Sequence, residues 1–255
     1  MTVSSGLVSV TFRKLEVEAI VELAAKAGID GIEWGGDIHV KPDDDEAAEQ
    51  ARDLCEQHGI LIPSYGSYLR LGHTSMSEMM SVLDTAEQLG AQNVRVWPGK
   101  IGSADADEAY RTQVAKDLES LGEQAYLRDL TVSLEYHGNS LTDTPESTIA
   151  LLRQADHAAL STYWQPRIGL DTTALLDDLD AIMYDLSHVH VFNWRKSADG
   201  LERRPLAEGD ELWRPVFKAL EADDRDRFAF LEFVANDDPK AFLADAKTLR
   251  GWLGG

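Results

Sequence analysis

Short apolar segments recur eight times along this chain, and each is followed by an amphipathic helical stretch. They are "LVSVTF" (7–12), "GIEW" (31–34), "ILIPSY" (60–65), "NVRVW" (93–97), "LTVSLE" (130–135), "LSTYWQ" (160–165), "HVHVF" (188–192) and "FAFLEF" (228–233). Between them, apolar residues repeat at helical spacing, as Val17, Ile20, Val21 and Ala24 do, and again Met79, Val82, Leu83 and Ala86. Gly28, Gly59 and Gly90 each stand just before a strand, where a glycine ends a helix in the left-handed conformation at little cost. Strict alternation of strand and helix dictates a parallel sheet with helices outside it. Eight such units in 255 residues predict an α/β fold of the (β/α)8 TIM-barrel kind, a single domain over residues 1–255. An open doubly wound sheet would carry a glycine-rich turn after its first strand, and "VTFRKLEVE" has none.

Composition narrows the function. The chain carries 24 basic and 45 acidic residues, a formal charge of −21, which repels phosphate backbones and argues against nucleic acid as a partner. The acidic excess in runs such as "KPDDDEAAEQ" reads as a solvated surface. No apolar run approaches the ~20 residues of a membrane span, so no membrane partner is expected. The single cysteine, Cys55, permits no internal disulfide, and "MTVSSGLVSVTFRK" has no signal-peptide pattern, so a cytoplasmic location is expected.

In a barrel of this kind chemistry gathers at the C-terminal ends of the strands. Glu135 ends the fifth strand in "TVSLE", and burying a carboxylate there is costly without a partner. Gln165 ends the sixth, His190 lies on the seventh and Glu232 ends the eighth. Alternate residues of a strand share a face, which lets these four side chains converge over one mouth. Two carboxylates, one imidazole and one amide oxygen, without sulfur, suit one divalent ion: Mn²⁺ first, with Mg²⁺, Co²⁺ or Zn²⁺ as alternatives. The plainer reading is that each glutamate pairs with a nearby Arg or Lys.

With "AGIDGIEWGG" (27–36), "VSLEYHGNSLTDTPE" (132–146), "LSHVHVF" (186–192), "LAEGDELW" (206–213) and "FLEFV" (230–234), the whole chain resembles the sugar phosphate isomerase/epimerase group of xylose-isomerase-like TIM barrels. That group includes ketose 3-epimerases, hydroxypyruvate isomerases and inosose dehydratases. The resemblance implies metal-binding glutamates at Glu135 and Glu232 and a metal-binding histidine at His190. Many members carry an aspartate on the sixth strand, often with a histidine three residues on. Here Gln165 is expected to supply that oxygen, while Asp171 resembles the N-cap of the following helix; the competing register makes Asp171 the ligand. Ala174 stands where the second histidine would be. Endonuclease IV is a related barrel, but its three-zinc site needs histidines that "IPSYGSY" lacks.

Around this mouth, Trp34, His39, Tyr68, Arg95, Trp97, His137, Trp194 and Arg195 are the candidate substrate-binding residues. Aromatic faces suit the C–H faces of a sugar, and the arginines suit carboxylates or hydroxyls. The expected partner is a small sugar, keto-sugar or cyclitol, with assembly into homo-oligomers left open. The expected activity is a metal-dependent isomerase or epimerase in which Glu135 and Glu232 exchange protons with an ene-diolate. A lyase, either a dehydratase or a cleaver of oxidised sugars, is the first alternative. A non-catalytic sugar-binding barrel is the second.

Overall fold

The computed structural model describes residues 2–197 and 200–254. Eight parallel strands close into a barrel: β1 (Val3–Val8), β2 (Gly31–Gly35), β3 (Leu61–Arg70), β4 (Asn93–Trp97), β5 (Thr131–Leu134), β6 (Leu160–Trp164), β7 (Leu186–Val191) and, last in the chain, β10 (Arg227–Leu231). β10 pairs with both β1 and β7 and so completes the ring. Outside it run α1 (Val17–Ala27), α2 (Asp45–His58), α3 (Met76–Leu89), α4 (Glu108–Tyr126), α5 (Pro145–Ala155), α6 (Thr172–Ile182), α7 (Asp210–Ala222) and α8 (Pro239–Trp252). A two-stranded antiparallel hairpin, β8 (Trp194–Ser197) with β9 (Gly200–Arg203), stands on the loop after β7. None of the described helices is long and apolar enough to cross a membrane.

Period two sorts the strand residues. Val94 and Val96 of β4, and Val132 and Leu134 of β5, are fully buried among the helices. Each such side chain contributes roughly 1.5–3 kcal/mol by leaving water. The alternate residues line the barrel. Asn93 Oδ1 accepts from Ser133 Oγ at 2.7 Å and from Thr131 Oγ1 at 3.0 Å, which satisfies a polar layer beneath the mouth. The three glycines expected to stop helices do so, with φ of 68° at Gly28, 66° at Gly59 and 77° at Gly90.

The first strand differs from its expected position at 7–12. It ends at Val8, and Ser9–Phe12 turn into a short 3-10 helix. "SVTF" alternates like a strand, but its hydroxyls serve other chains of the mouth. Ser9 Oγ accepts from Gly35 N at 2.8 Å and Thr11 Oγ1 accepts from Phe233 N at 2.9 Å. β3 runs to Arg70, five residues beyond the expected end, and so carries Tyr68 and Arg70 up to the rim.

Candidate active site

Three inward residues lock together under the mouth. Glu33 of β2 is fully buried, and its Oε1 accepts from Arg95 Nε at 2.8 Å. Its Oε2 accepts from the Tyr163 hydroxyl at 2.7 Å. The other arm of Arg95, Nη1, donates to Glu135 Oε2. Gly66 makes this possible, because a Cβ there would stand 2.7 Å from both Arg95 Nη2 and Glu33 Oε1. Burial works to raise the pKa of Glu33, but the Arg95 charge, His190 and the Tyr163 hydroxyl outweigh it and hold the carboxyl below its ordinary range.

Above this lock, His190 Nδ1 faces three oxygens: Gln165 Oε1 at 3.0 Å, Glu135 Oε1 at 3.6 Å and Glu232 Oε2 at 3.6 Å. Its Nε2 looks the other way, 3.6 Å from Glu33 Oε1 and without a hydrogen-bond partner among the described residues. Burial disfavours a charged imidazole, yet Glu232 and Glu135 overcome that and push its pKa up to about 10. The two carboxyls of the mouth differ. Burial raises both, but at Glu135 the Arg95 and His190 charges win and the pKa is lowered. Among the described residues no arginine lies within ion-pair distance of Glu232, and burial together with the like charge of Glu135 leaves it raised against the pull of His190 and the more distant Arg95.

The donor set suits a divalent cation. Three buried carboxylates against one guanidinium leave two negative charges when His190 is neutral. Among the described residues, no three acidic, histidine or cysteine side chains are arranged to hold a metal ion as they stand. The separations of 3.0 and 3.6 Å between Nδ1 and its three oxygens nevertheless match donors sharing one ion. At bond lengths of about 2.0–2.6 Å, right-angled ligands stand roughly 3–3.7 Å apart. Asp171 is elsewhere: it caps α6, its Oδ1 accepting from Ala174 N at 2.9 Å.

Of the residues expected to meet a substrate, Tyr68, Trp97 and His137 stand together on one wall. Trp97 stacks with Tyr68 at 6.5 Å between centroids and meets the His137 ring at 4.7 Å. Trp194 lies across the mouth, stacked on Phe192 at 4.1 Å and tilted against Phe233 at 5.9 Å. Arg195 is exposed on the hairpin. Three residues sit outside the mouth. Trp34 alternates with Glu33, so it points outward and is fully buried in the core. Arg95 lies beneath the mouth with both arms committed. His39 is buried against Ser9, its Nδ1 hydrogen-bonded with Ser9 Oγ at 2.9 Å, and burial holds this imidazole below its ordinary pKa.

Sequence reading passed over Glu33, Tyr163, Arg70 and Phe233. The first two were available from phase, since Glu33 alternates with Trp34 and Tyr163 keeps step with Gln165, whereas Arg70 lies beyond the expected end of its strand. Phe233 gives no such signal. It adopts a left-handed φ of 49°, a strain of ~1–3 kcal/mol for a bulky residue, directly after Glu232.

The comparisons with known proteins agree with this architecture. The family model of the xylose isomerase-like TIM barrel matches residues 21–252. The chain belongs to that family. A 3-dehydroshikimate dehydratase of Bacillus anthracis is 25% identical over 278 residues, spanning 96% of this chain and 95% of that protein. The crystal structure of a probable 3-DHS dehydratase from Bacillus anthracis superposes with a TM-score of 0.81 at 22% identity, over 97% of this chain and 98% of that one. A D-psicose 3-epimerase solved with D-fructose gives 0.73 at 16%, over 99% and 100%. The expected resemblance to the isomerase/epimerase group is thus met at the level of family and fold.

Proposed function

We propose that this protein is a divalent-metal-dependent dehydratase acting on a cyclic hydroxy-ketone of the 3-dehydroshikimate kind. The sequence put isomerase or epimerase first. The dehydratase takes precedence because the chain aligns almost end to end with a 3-dehydroshikimate dehydratase. The observation that carries the chemistry is the unequal environment of two carboxyls. Arg95 fixes Glu135 in its charged form, while Glu232 lacks such a partner. Two carboxyls pushed apart in this way divide holding charge from moving protons.

Glu135, Gln165, His190 and Glu232 would hold the ion. When bound, it would polarise the substrate's ketone and acidify the adjacent C–H. Glu232 takes that proton. The hydroxyl on the next carbon then leaves, accepting a proton from Glu232 to depart as water, and a C=C bond forms where the C–H and C–O bonds broke. In a ring that already holds one C=C beside the ketone, moving one more proton from ring carbon to ring oxygen gives a dihydroxybenzoate. Tyr68, Trp97 and Trp194 would cover the ring and keep out water.

Incubating the purified protein with Mn²⁺ and 3-dehydroshikimate tests this reading. The expected result is stoichiometric 3,4-dihydroxybenzoate by chromatography, lost on chelation and in Glu232→Gln. No product with Mn²⁺, Mg²⁺, Co²⁺ or Zn²⁺ from folded protein would refute it. Conversion of a free ketohexose in the same assays would restore the epimerase reading.

A further inference from the structure

The rim of the mouth holds a cation that the reading above leaves without a task. On β3, Gly66, Tyr68 and Arg70 share a phase, as Arg95 and Trp97 do on β4. Arg70 pairs with Trp97 across the two strands, and its guanidinium lies 4.2 Å from the indole centroid. Stacking occupies the face of the guanidinium and leaves the N–H groups on its edge free. One of them, Nη1, reaches the Gly99 carbonyl only at 3.4 Å. Among the described residues no carboxylate lies within ion-pair distance of Arg70, in a chain of net charge −21.

Three other arginines around the mouth are committed. Arg13 pairs with Asp37 at 2.6 Å and also donates to the Tyr68 hydroxyl at 2.8 Å. Arg203 pairs with Asp237 at 2.5 Å, and Arg95 holds Glu33 and Glu135. Arg195 stands exposed on the hairpin, whereas Arg70 is half-buried at the end of a barrel strand and pinned by an aromatic face. A guanidinium ordered before the ligand arrives loses little freedom on binding and presents a planar fork to a carboxylate.

We propose that Arg70, stacked on Trp97, is the residue that binds the substrate's carboxylate and selects acidic ring substrates over neutral sugars. The proposal rests on the dehydratase reading for the ring but not for the charge. The wall of Tyr68, Trp97 and His137 receives the ring, and Arg70 takes the acidic group at its rim. The committed cations leave Arg70 as the fork available to it on this wall.

The test is binding of 3,4-dihydroxybenzoate and of catechol, its counterpart without the carboxylate, to the Mn²⁺-loaded protein by calorimetry. Wild type is expected to prefer the acid by about tenfold or more, the range of a charge-assisted pair. Arg70→Gln should abolish the preference, leaving catechol and Mn²⁺ affinities unchanged, and Arg70→Lys should keep part of it. An unchanged preference in Arg70→Gln, or none in wild type, overturns the proposal. Turnover separates the two readings. Dehydration whose KM ignores Arg70→Gln removes this proposal alone; Arg70-dependent binding of the acid without dehydration removes the dehydratase alone.

Discussion

Arg95→Met removes the guanidinium that pairs with two buried carboxylates, and its cost can be worked from the site. The side chains of Arg95, Glu33 and Glu135 are 3%, 0% and 4% exposed, so water cannot replace the lost donor. Methionine fills much of the volume, which keeps the cavity contribution small. An uncompensated buried carboxylate protonates instead, and at pH 7 that costs about 3.7 kcal/mol from an ordinary pKa near 4.3. His190 still faces both groups at 3.6 Å and offsets part of the second. The expected loss is therefore about 3–5 kcal/mol, in line with removing one partner of a buried pair. The sign of its pH dependence follows. In the wild type the lowered pKa of Glu33 contributes stability above the unfolded value and loses it as pH falls. In the variant the folded pKa is raised, so stability is lost as pH rises through and above about 4.3. Both move the curves together in acid, and at pH 5 each protonation costs only about 1 kcal/mol. Urea unfolding in EDTA, followed by tryptophan fluorescence at pH 5, 6 and 7, measures the gap. A gap under about 1 kcal/mol at pH 7, or one that does not change with pH, would refute the argument.

Two further outcomes are expected. Asp171→Asn should cost at most ~1 kcal/mol and leave Mn²⁺ titrations unchanged, because Asn caps a helix nearly as well and Asp171 serves Ala174 N. Gln165→Ala should weaken Mn²⁺ at least tenfold, and the reverse pattern would make Asp171 the ligand. Asp245 of α8 is buried, accepts from Leu206 N at 2.8 Å, and burial pushes its pKa up to about 6 against that bond. A folded pKa above the unfolded one loses stability as pH rises between about 4 and 6, so Asp245→Asn should stabilise by ~1–2 kcal/mol at pH 8 and by nothing at pH 4. Equal melting temperatures at pH 8 would contradict it.

How far the sequence could be read depended on the kind of question put to it. Strand and helix existence came from periodicity, which is local, and the eight units follow from it. The sixth strand could be placed because "DTTALLDD" begins a helix in its own right: Asp171 is the cap, and Leu160–Trp164 is left as the strand. The ends of β1 were not readable, because Ser9 and Thr11 leave the strand to serve Gly35 and Phe233, 26 and 222 residues away in the chain. The same distinction governs the site. Phase alone says that Glu33 and Trp34 cannot both face the mouth, and that Trp34 must go to the core once Glu33 turns inward. It cannot say which inward residues meet. Glu33 reaches Arg95 over 62 residues and Tyr163 over 130, and those pairings exist only after the barrel has closed. Arg95 could therefore be taken from the sequence for a substrate ligand, since an arginine at a strand end looks available until its carboxylates arrive from β2 and β5. Arg70 is the converse. It lies beyond the expected end of its strand, and it is distinguished by the partners it lacks.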